Sequence, residues 1–102
     1  MVIPSKIRIG GQDIDVELAE RLPGDKLGTV CLAEGKLLVA RNFSDKKQSD
    51  TSMQNTFVHE VVHAILDTMG ENELSGNEKF VSTFSSFLVD VVEEIVKADR
   101  EL

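Results

Sequence analysis

The segment from Thr51 to Met69 is apolar on nearly every side when it is drawn as an α-helix with about 100° per residue. Its two broad apolar faces carry Val58, Val62, Ile65, Leu66 and Met69 on one side and Phe57, Val61 and Ala64 on the other. A helix that is apolar all round is normally buried inside a protein. The narrow polar strip between the faces holds His59, Glu60 and His63. We therefore predict a central helix that carries three ionisable side chains into the interior.

The composition is that of one globular domain covering residues 1–102, with 41% hydrophobic and 28% charged residues. The formal net charge of −7 would be repelled by phosphate backbones and anionic lipid, so we expect neither nucleic acid nor a membrane as a partner. The first residues lack the apolar core of a signal peptide, and no apolar run reaches the length of a membrane span. These features predict a cytoplasmic protein. The sequence gives no indication of its oligomeric state.

Cys31 is the single cysteine, which excludes a disulfide within the chain and agrees with a reducing compartment. It lies in the apolar run Thr29–Ala33, so we expect its thiol to be buried and inert.

The strand-rich part of the chain covers residues 5–41. Apolar residues alternate from Lys6 to Leu18 around Gly10-Gly11, which predicts a hairpin. A second hairpin is predicted from Gly28–Ala33 and Lys36–Arg41. The expected fold class is α+β, with a small antiparallel sheet of about three to four strands, formed by two hairpins and packed on two main helices.

The helical part begins near Thr51-Ser52-Met53-Gln54, which matches a capping box. We predict a first helix over about 51–69, ended by Gly70, and a second over about 77–97, followed by frayed acidic residues. The polar residues 71–76 between them predict a turn. On the second helix one apolar arc contains Phe80, Val81, Phe84, Phe87, Leu88, Val91, Val92 and Ile95.

The motif His59-Glu60-Val61-Val62-His63 places two imidazoles on one face of the first helix, where both can bind a single metal ion. Zn²⁺ accepts neutral imidazole nitrogen, and a catalytic zinc site leaves one position open for water. Glu60 points beside that face and could act as the general base. The alternative is that His59 and His63 are hydrogen-bonded structural residues and that Glu60 faces solvent.

The third ligand must be a carboxylate, Cys31 or nothing, because the motif uses both histidines of the chain. Of the nearby acidic residues, Glu71 and Glu73 fall in the polar turn, whereas Glu78 lies at the edge of the second helix's apolar arc. Glu78 could therefore reach a metal between two packed helices. It also belongs to Ser75-Gly76-Asn77-Glu78, a capping-box pattern in which its carboxylate would bond backbone amides instead.

Asp67 lies one turn beyond His63 on the polar strip. A carboxylate near a helix C-terminus opposes the helix dipole, which suggests another reason for its presence. It could orient a ligand histidine. A solvated surface position is the competing interpretation.

The run Thr56–Ala64, followed by Asn77-Glu78 at the start of a helix, resembles the gluzincin metallopeptidases. The likeness is greatest to the minigluzincins and to the ImmA/IrrE-like metallopeptidases that phages and mobile elements encode. It implies a minimal zincin-like fold, with His59, His63 and Glu78 as zinc ligands and Glu60 as the base. It also implies a location in the bacterial cytoplasm and a sheet-edge role for Lys36–Arg41, to which a peptide substrate would add as a further strand.

The chain departs from the family pattern at two points. Ser82 occupies the position where related enzymes carry an aspartate that supports the ligand glutamate, so Ser82 is a candidate for that supporting role. Many gluzincins also use a Tyr or a third His to stabilise the oxyanion, and this chain has neither. Arg21 and Arg41 are conceivable replacements.

Three functions are consistent with these residues. The first is a zinc-dependent endopeptidase that acts on a protein or peptide substrate. The second is a catalytically weak or inactive zinc-binding module that mediates protein interactions. The third is a small phage-encoded regulator that does not depend on metal.

Overall fold

The computed structural model describes residues 1–101. Its first hairpin pairs β1 (Lys6–Ile9) with β2 (Gln12–Ala19) in antiparallel orientation. Gly10 and Gly11 both have positive φ, 57° and 83°, which is the backbone that a two-residue hairpin turn requires. The second hairpin pairs β3 (Gly28–Cys31) with β4 (Lys36–Ala40). A 3₁₀ turn over Pro23–Asp25 lies between the hairpins.

The four strands form one sheet in the order β1-β2-β4-β3, and β2 runs parallel to β4. The sheet is therefore mixed, and the prediction of a wholly antiparallel sheet was wrong. The connection over residues 20–27 spans the width of a strand, so β4 inserts between β2 and β3. This order gives the central place to the most apolar strand, where Leu37 and Val39 have no exposed surface.

The same order corrects the sheet-edge role expected for Lys36–Arg41. Strand β4 is paired on both sides, and the outer strand next to it is β3. Cys31 lies at the end of β3 and is exposed, so the expectation of a buried thiol was also wrong. Side chains alternate between the two faces of a sheet. Cys31 lies opposite the exposed Lys36, on the other face from the buried Leu37, so its thiol is on the solvent side.

A small two-stranded sheet of β5 (Asn42–Phe43) and β6 (Lys46–Lys47) leads into α1 (Asp50–Thr68). The cap of α1 is Ser49, whose side chain accepts a hydrogen bond from the backbone amide of Ser52. The helix thus begins slightly before the capping box predicted at 51–54. Gln48 fixes this start, because it is buried and bonds both the Ala40 carbonyl and the Ser52 hydroxyl.

Two further helices follow, the short α2 (Asn72–Ser75) and the long α3 (Glu78–Arg100). The predicted turn over residues 71–76 thus contains one helical turn. Helix α3 runs to Arg100, beyond the end predicted near residue 97. Lys97 and Arg100 lie in the last turn, where positive charge favours the helix dipole.

Helix α1 is the middle layer of the molecule. Its one face packs on β3 and β4, and its other face packs on α3. The core contains Ile14, Val16, Leu37, Val39, Met53, Phe57, Val58, Val62, Leu66, Val81 and Val89. None of the helices within residues 1–101 is long and apolar enough to cross a membrane. The central position of α1 is what encloses His59, Glu60 and His63.

Candidate metal centre

His59 and His63 lie on the same face of α1, one turn apart. Their ring centroids are 4.9 Å apart and the rings are inclined by 67°. The two side chains keep 25% and 16% of their surface exposed, so they border solvent without being free in it. This is the geometry expected from the four-residue spacing on a helix whose other faces are buried.

Glu78 is brought to these histidines by the first turn of α3. Its Oε2 atom lies 3.2 Å from Nε2 of His59, and its Oε1 atom lies 3.0 Å from Nε2 of His63. The cap of α3 is Asn77, whose side chain accepts a hydrogen bond from the backbone amide of Phe80. The capping role that the sequence left open for Glu78 is therefore filled by its neighbour, and the Glu78 carboxylate faces the two imidazoles.

The donor set fits a divalent metal. His59, His63 and Glu78 each offer one ligand atom, and these atoms lie within 4.8 Å of one another. Two ligands of a tetrahedral zinc, each about 2.1 Å from the ion, are separated by about 3.4 Å. The separations of Glu78 from the two imidazoles are close to that value. Two imidazoles and one carboxylate are also a known ligand set of catalytic zinc, with a fourth position open.

Ser75 is the hydrogen-bond partner of His63 at Nδ1. Its hydroxyl oxygen lies 3.0 Å from Nδ1, and its side chain is buried at the end of α2. With Nδ1–H donating to Ser75, the Nε2 atom of His63 keeps its lone pair for a metal. Ser75 was not among the site residues predicted from the sequence. Its only signal was its place in Ser75-Gly76-Asn77-Glu78, where it was considered as a cap.

The two residues predicted to support the ligands lie elsewhere. Asp67 is exposed one turn beyond His63, and the hydrogen bond to Nδ1 of that histidine comes from Ser75. Ser82 is exposed on α3 and lines the groove described below, together with His59 and Glu60. Neither Asp67 nor Ser82 has a hydrogen bond to a candidate ligand within residues 1–101.

Glu60 is buried beside the three candidate ligands. Burial raises the pKa of its carboxyl above the usual value; the charge of Glu78 acts in the same direction, while His63 and Lys26 oppose it. Burial also lowers the pKa of His59, against the opposing effect of Glu78. A carboxylate with a raised pKa accepts a proton more readily, which is what a general base near neutral pH requires.

A groove of about 620 Å³ opens next to His59 and Glu60. It is lined by Lys26–Gly28 at the start of β3, by α1 side chains between Ser49 and Glu60, and by Ser82, Ser85 and Ser86 of α3. We call it the site groove. Its walls are rich in hydroxyl groups, and Lys26 is the one basic residue among them.

Gly28 lies where β3 comes close to α1. A Cβ atom at Gly28 would lie 2.6 Å from Cγ2 of Thr56 and 3.2 Å from Cγ of Glu60. The absence of a side chain at position 28 therefore lets the edge strand sit directly against the candidate base. Gly28 was not among the site residues predicted from the sequence.

The other candidate residues lie outside the cluster. Arg21 bonds the Ser44 carbonyl and pairs with Asp45, and Arg41 pairs with Glu20. Neither arginine lines the site groove. Glu71, Glu73 and Cys31 are not members of the group of possible ligands found within residues 1–101.

No family model, no curated protein and no solved structure matches this chain. The interpretation of the site therefore depends on its residues and their geometry.

Proposed function

We propose that this chain is a zinc-dependent metallopeptidase that hydrolyses a peptide bond with Glu60 as general base. The observation that carries the proposal is the convergence of His59, His63 and Glu78 beside a buried glutamate at the end of an open groove. The resemblance of Thr56–Ala64 and Asn77-Glu78 to gluzincins supports the same assignment of roles.

In this proposal each residue has a separate task. His59, His63 and Glu78 hold the ion, and Ser75 keeps the imidazole of His63 in the tautomer that can bind it. Zinc, when bound, lowers the pKa of a water molecule and polarises a carbonyl group. Glu60 takes the proton of the attacking water and passes it to the leaving amine.

The substrate that fits this site is an extended peptide segment. Strand β3 is the outer strand next to α1, and its unpaired edge can bind a peptide as an additional strand. The start of β3 lines the site groove through Lys26–Gly28, so a peptide paired there would pass His59 and Glu60. The edge strand for substrate is thus β3 and not Lys36–Arg41.

The test is cleavage of a proteome-derived peptide library, followed by mass spectrometry. The zinc-loaded wild type should generate new peptide ends, and chelation should abolish them. Glu60→Gln keeps the size of the side chain but cannot accept the proton, so its rate should fall by about 10²-fold or more. Glu73→Gln, at an exposed position of α2, is the matched control and should cleave normally. Full activity of Glu60→Gln would exclude this mechanism.

A zinc-binding module for protein interaction is the second candidate, and one observation favours it. The chain has no Tyr, and both Arg21 and Arg41 are engaged away from the site. This leaves Lys26 as the one basic side chain in the site groove that could stabilise an oxyanion. The hypothesis of an interaction module predicts that the chain binds zinc but hydrolyses no peptide. Hydrolysis that a chelator abolishes would exclude this hypothesis.

A further inference from the structure

Helix α3 carries a row of large apolar side chains that no other part of residues 1–101 covers. Phe84, Phe87, Val91 and Ile95 are 47%, 66%, 54% and 63% exposed. Phe80 continues the row at its N-terminal end and stacks on Phe84, with ring centroids 5.6 Å apart. We call these five residues the α3 stripe. The row exists because α3 is an outer layer, which buries only the face that meets α1.

The size and spacing of the α3 stripe are those of a helix-packing surface. Its members are separated by three or four residues, so they form one continuous seam along the helix. A buried aromatic side chain covers about 150–250 Å², so the exposed parts of the stripe amount to about 400–500 Å² of apolar surface. Patches of that size on a monomer usually mark an interaction site.

The two halves of the α3 stripe differ in the type of apolar side chain and in the charge of the residues at their borders. The N-terminal half is a shallow depression of about 400 Å³, lined by Phe80, Phe84 and Phe87, with Lys79 at its border. The C-terminal half is a depression of about 410 Å³, lined by Val91, Ile95 and Ala98, with two acidic residues at its border. These acidic residues are Asp90 and Glu94. The border of one half is therefore basic and the border of the other half is acidic.

We propose that the α3 stripe binds the α3 stripe of a second copy of this chain in antiparallel orientation. A two-fold axis near Phe87 places the aromatic half of each helix over the aliphatic half of the other. In antiparallel pairs the same flank of both helices meets, so Lys79 lies beside Glu94 of the second copy, and this contact occurs twice. A parallel pair would instead set opposite flanks of the two helices against each other, so Lys79 would not meet Glu94 of the second copy.

The dimer leaves the candidate metal centre open. Glu78, Ser82 and Ser86 lie between about 130° and 180° around α3 from the centre of the stripe. The site groove is on that far side of the helix. The proposed dimer is therefore independent of the proposed peptidase activity, and either can fail without the other.

The surface area buried in the dimer indicates the range of dissociation constants to expect. Together with flanking side chains, two stripes bury about 1,000 Å² or slightly more, which is at the lower end of specific interfaces. We expect a dissociation constant on the order of 1–100 µM. Sedimentation equilibrium of the full chain over about 1–300 µM, in about 0.15 M salt to screen the net charge of the two copies, covers this range.

Three variants test the surface and its orientation. Phe87→Glu places two carboxylates at the two-fold axis and should weaken the dimer by at least about 100-fold. Met69→Glu is the matched control, because Met69 is 65% exposed at the end of α1, and it should dimerise like the wild type. Lys79→Glu should weaken the dimer roughly tenfold, and adding Glu94→Lys should restore it. Circular dichroism and a thermal melt confirm that each variant is folded.

Three results of these experiments would overturn the proposal or its orientation. A wild type that stays monomeric at 300 µM overturns the proposal, and the α3 stripe would then be a binding surface for a different protein. A dimer that Phe87→Glu does not weaken uses another surface and also overturns it. A dimer that Phe87→Glu breaks, but that Lys79→Glu leaves unchanged or that Glu94→Lys fails to rescue, overturns the antiparallel orientation.

Discussion

The Ser75 hydroxyl lies 3.0 Å from Nδ1 of His63, while Glu78 lies 3.0 Å from Nε2 of the same ring. Nε2 therefore faces Glu78 of α3, while Nδ1 is hydrogen-bonded to Ser75 of α2. In metal sites, a hydrogen bond of this kind fixes which ring nitrogen carries the proton and how the ring is oriented. The short helix α2, which looks like a mere connection in the sequence, supplies that bond.

We expect Ser75→Ala to weaken zinc binding by about 10- to 100-fold without changing the number of ions bound at saturation. Isothermal titration calorimetry measures both quantities. Ser85→Ala is a suitable control, because Ser85 is also buried but its hydroxyl donates to the Val81 carbonyl of its own helix. Equal zinc affinity for Ser75→Ala and Ser85→Ala would show that the Ser75 contact does not support a metal ligand.

Gly28→Ala should destabilise the protein by about 1–3 kcal/mol, since the new methyl group would overlap Thr56 at 2.6 Å. Gly76→Ala is the control, because its Cβ would meet no atom closer than 3.5 Å, and its stability should change by less than about 1 kcal/mol. Urea denaturation measures the free energy of unfolding of both. Adding Thr56→Ser, which removes the overlapping methyl group, should recover part of the loss. A Gly28→Ala variant as stable as the wild type would contradict this close approach.

The carboxylate of Asp25 accepts two hydrogen bonds from Ser44, one from the backbone amide and one from the hydroxyl, both 2.9 Å long. These bonds, the amide first, lower the pKa of Asp25 below 3.8. The folded state therefore gains stability from Asp25 above its unfolded pKa, and this gain is lost as the pH falls through the lower folded pKa. Carbon-detected NMR titration of the carboxyl group measures that pKa.

Ser44→Ala removes the hydroxyl bond and should raise the pKa of Asp25 toward its ordinary value. A wild-type pKa at or above 3.8, or a pKa unaffected by Ser44→Ala, would contradict the contact. Asp25 and Ser44 both have a φ of 55°, which is strained for residues other than glycine. The hydrogen bonds between them therefore join two strained turns.

The helices and the motif geometry could be predicted because they depend on local periodicity. The spacing of His59 and His63 determines a common face on any helix, and the apolar surroundings of α1 indicate its burial. The two hairpins were visible for the same reason, since Gly10-Gly11 requires a turn and alternation defines the flanking strands.

The remaining features depend on contacts between residues far apart in the sequence. The position of β4 between β2 and β3 is set by packing of Leu37 and Val39 and not by the hairpin that contains them. The apolar arc of α3 was wider than the face that α1 can cover. The structure therefore buries Val81 and Val89 but leaves Phe87 in solvent. The periodicity of a sequence shows that one face of a helix is apolar, but it does not show which element covers that face.

The central claim is that Glu78 completes a metal site with the two histidines, and metal content per chain tests it most directly. Wild type, Glu78→Ala and Glu73→Ala, all purified without a His tag and incubated with zinc, can be compared by inductively coupled plasma mass spectrometry. Glu73 is a nearby exposed carboxylate and serves as the control. We predict about one zinc per chain in the wild type and in Glu73→Ala, and a clear loss in Glu78→Ala. A wild type without zinc, or a Glu78→Ala variant that retains it, would contradict the account.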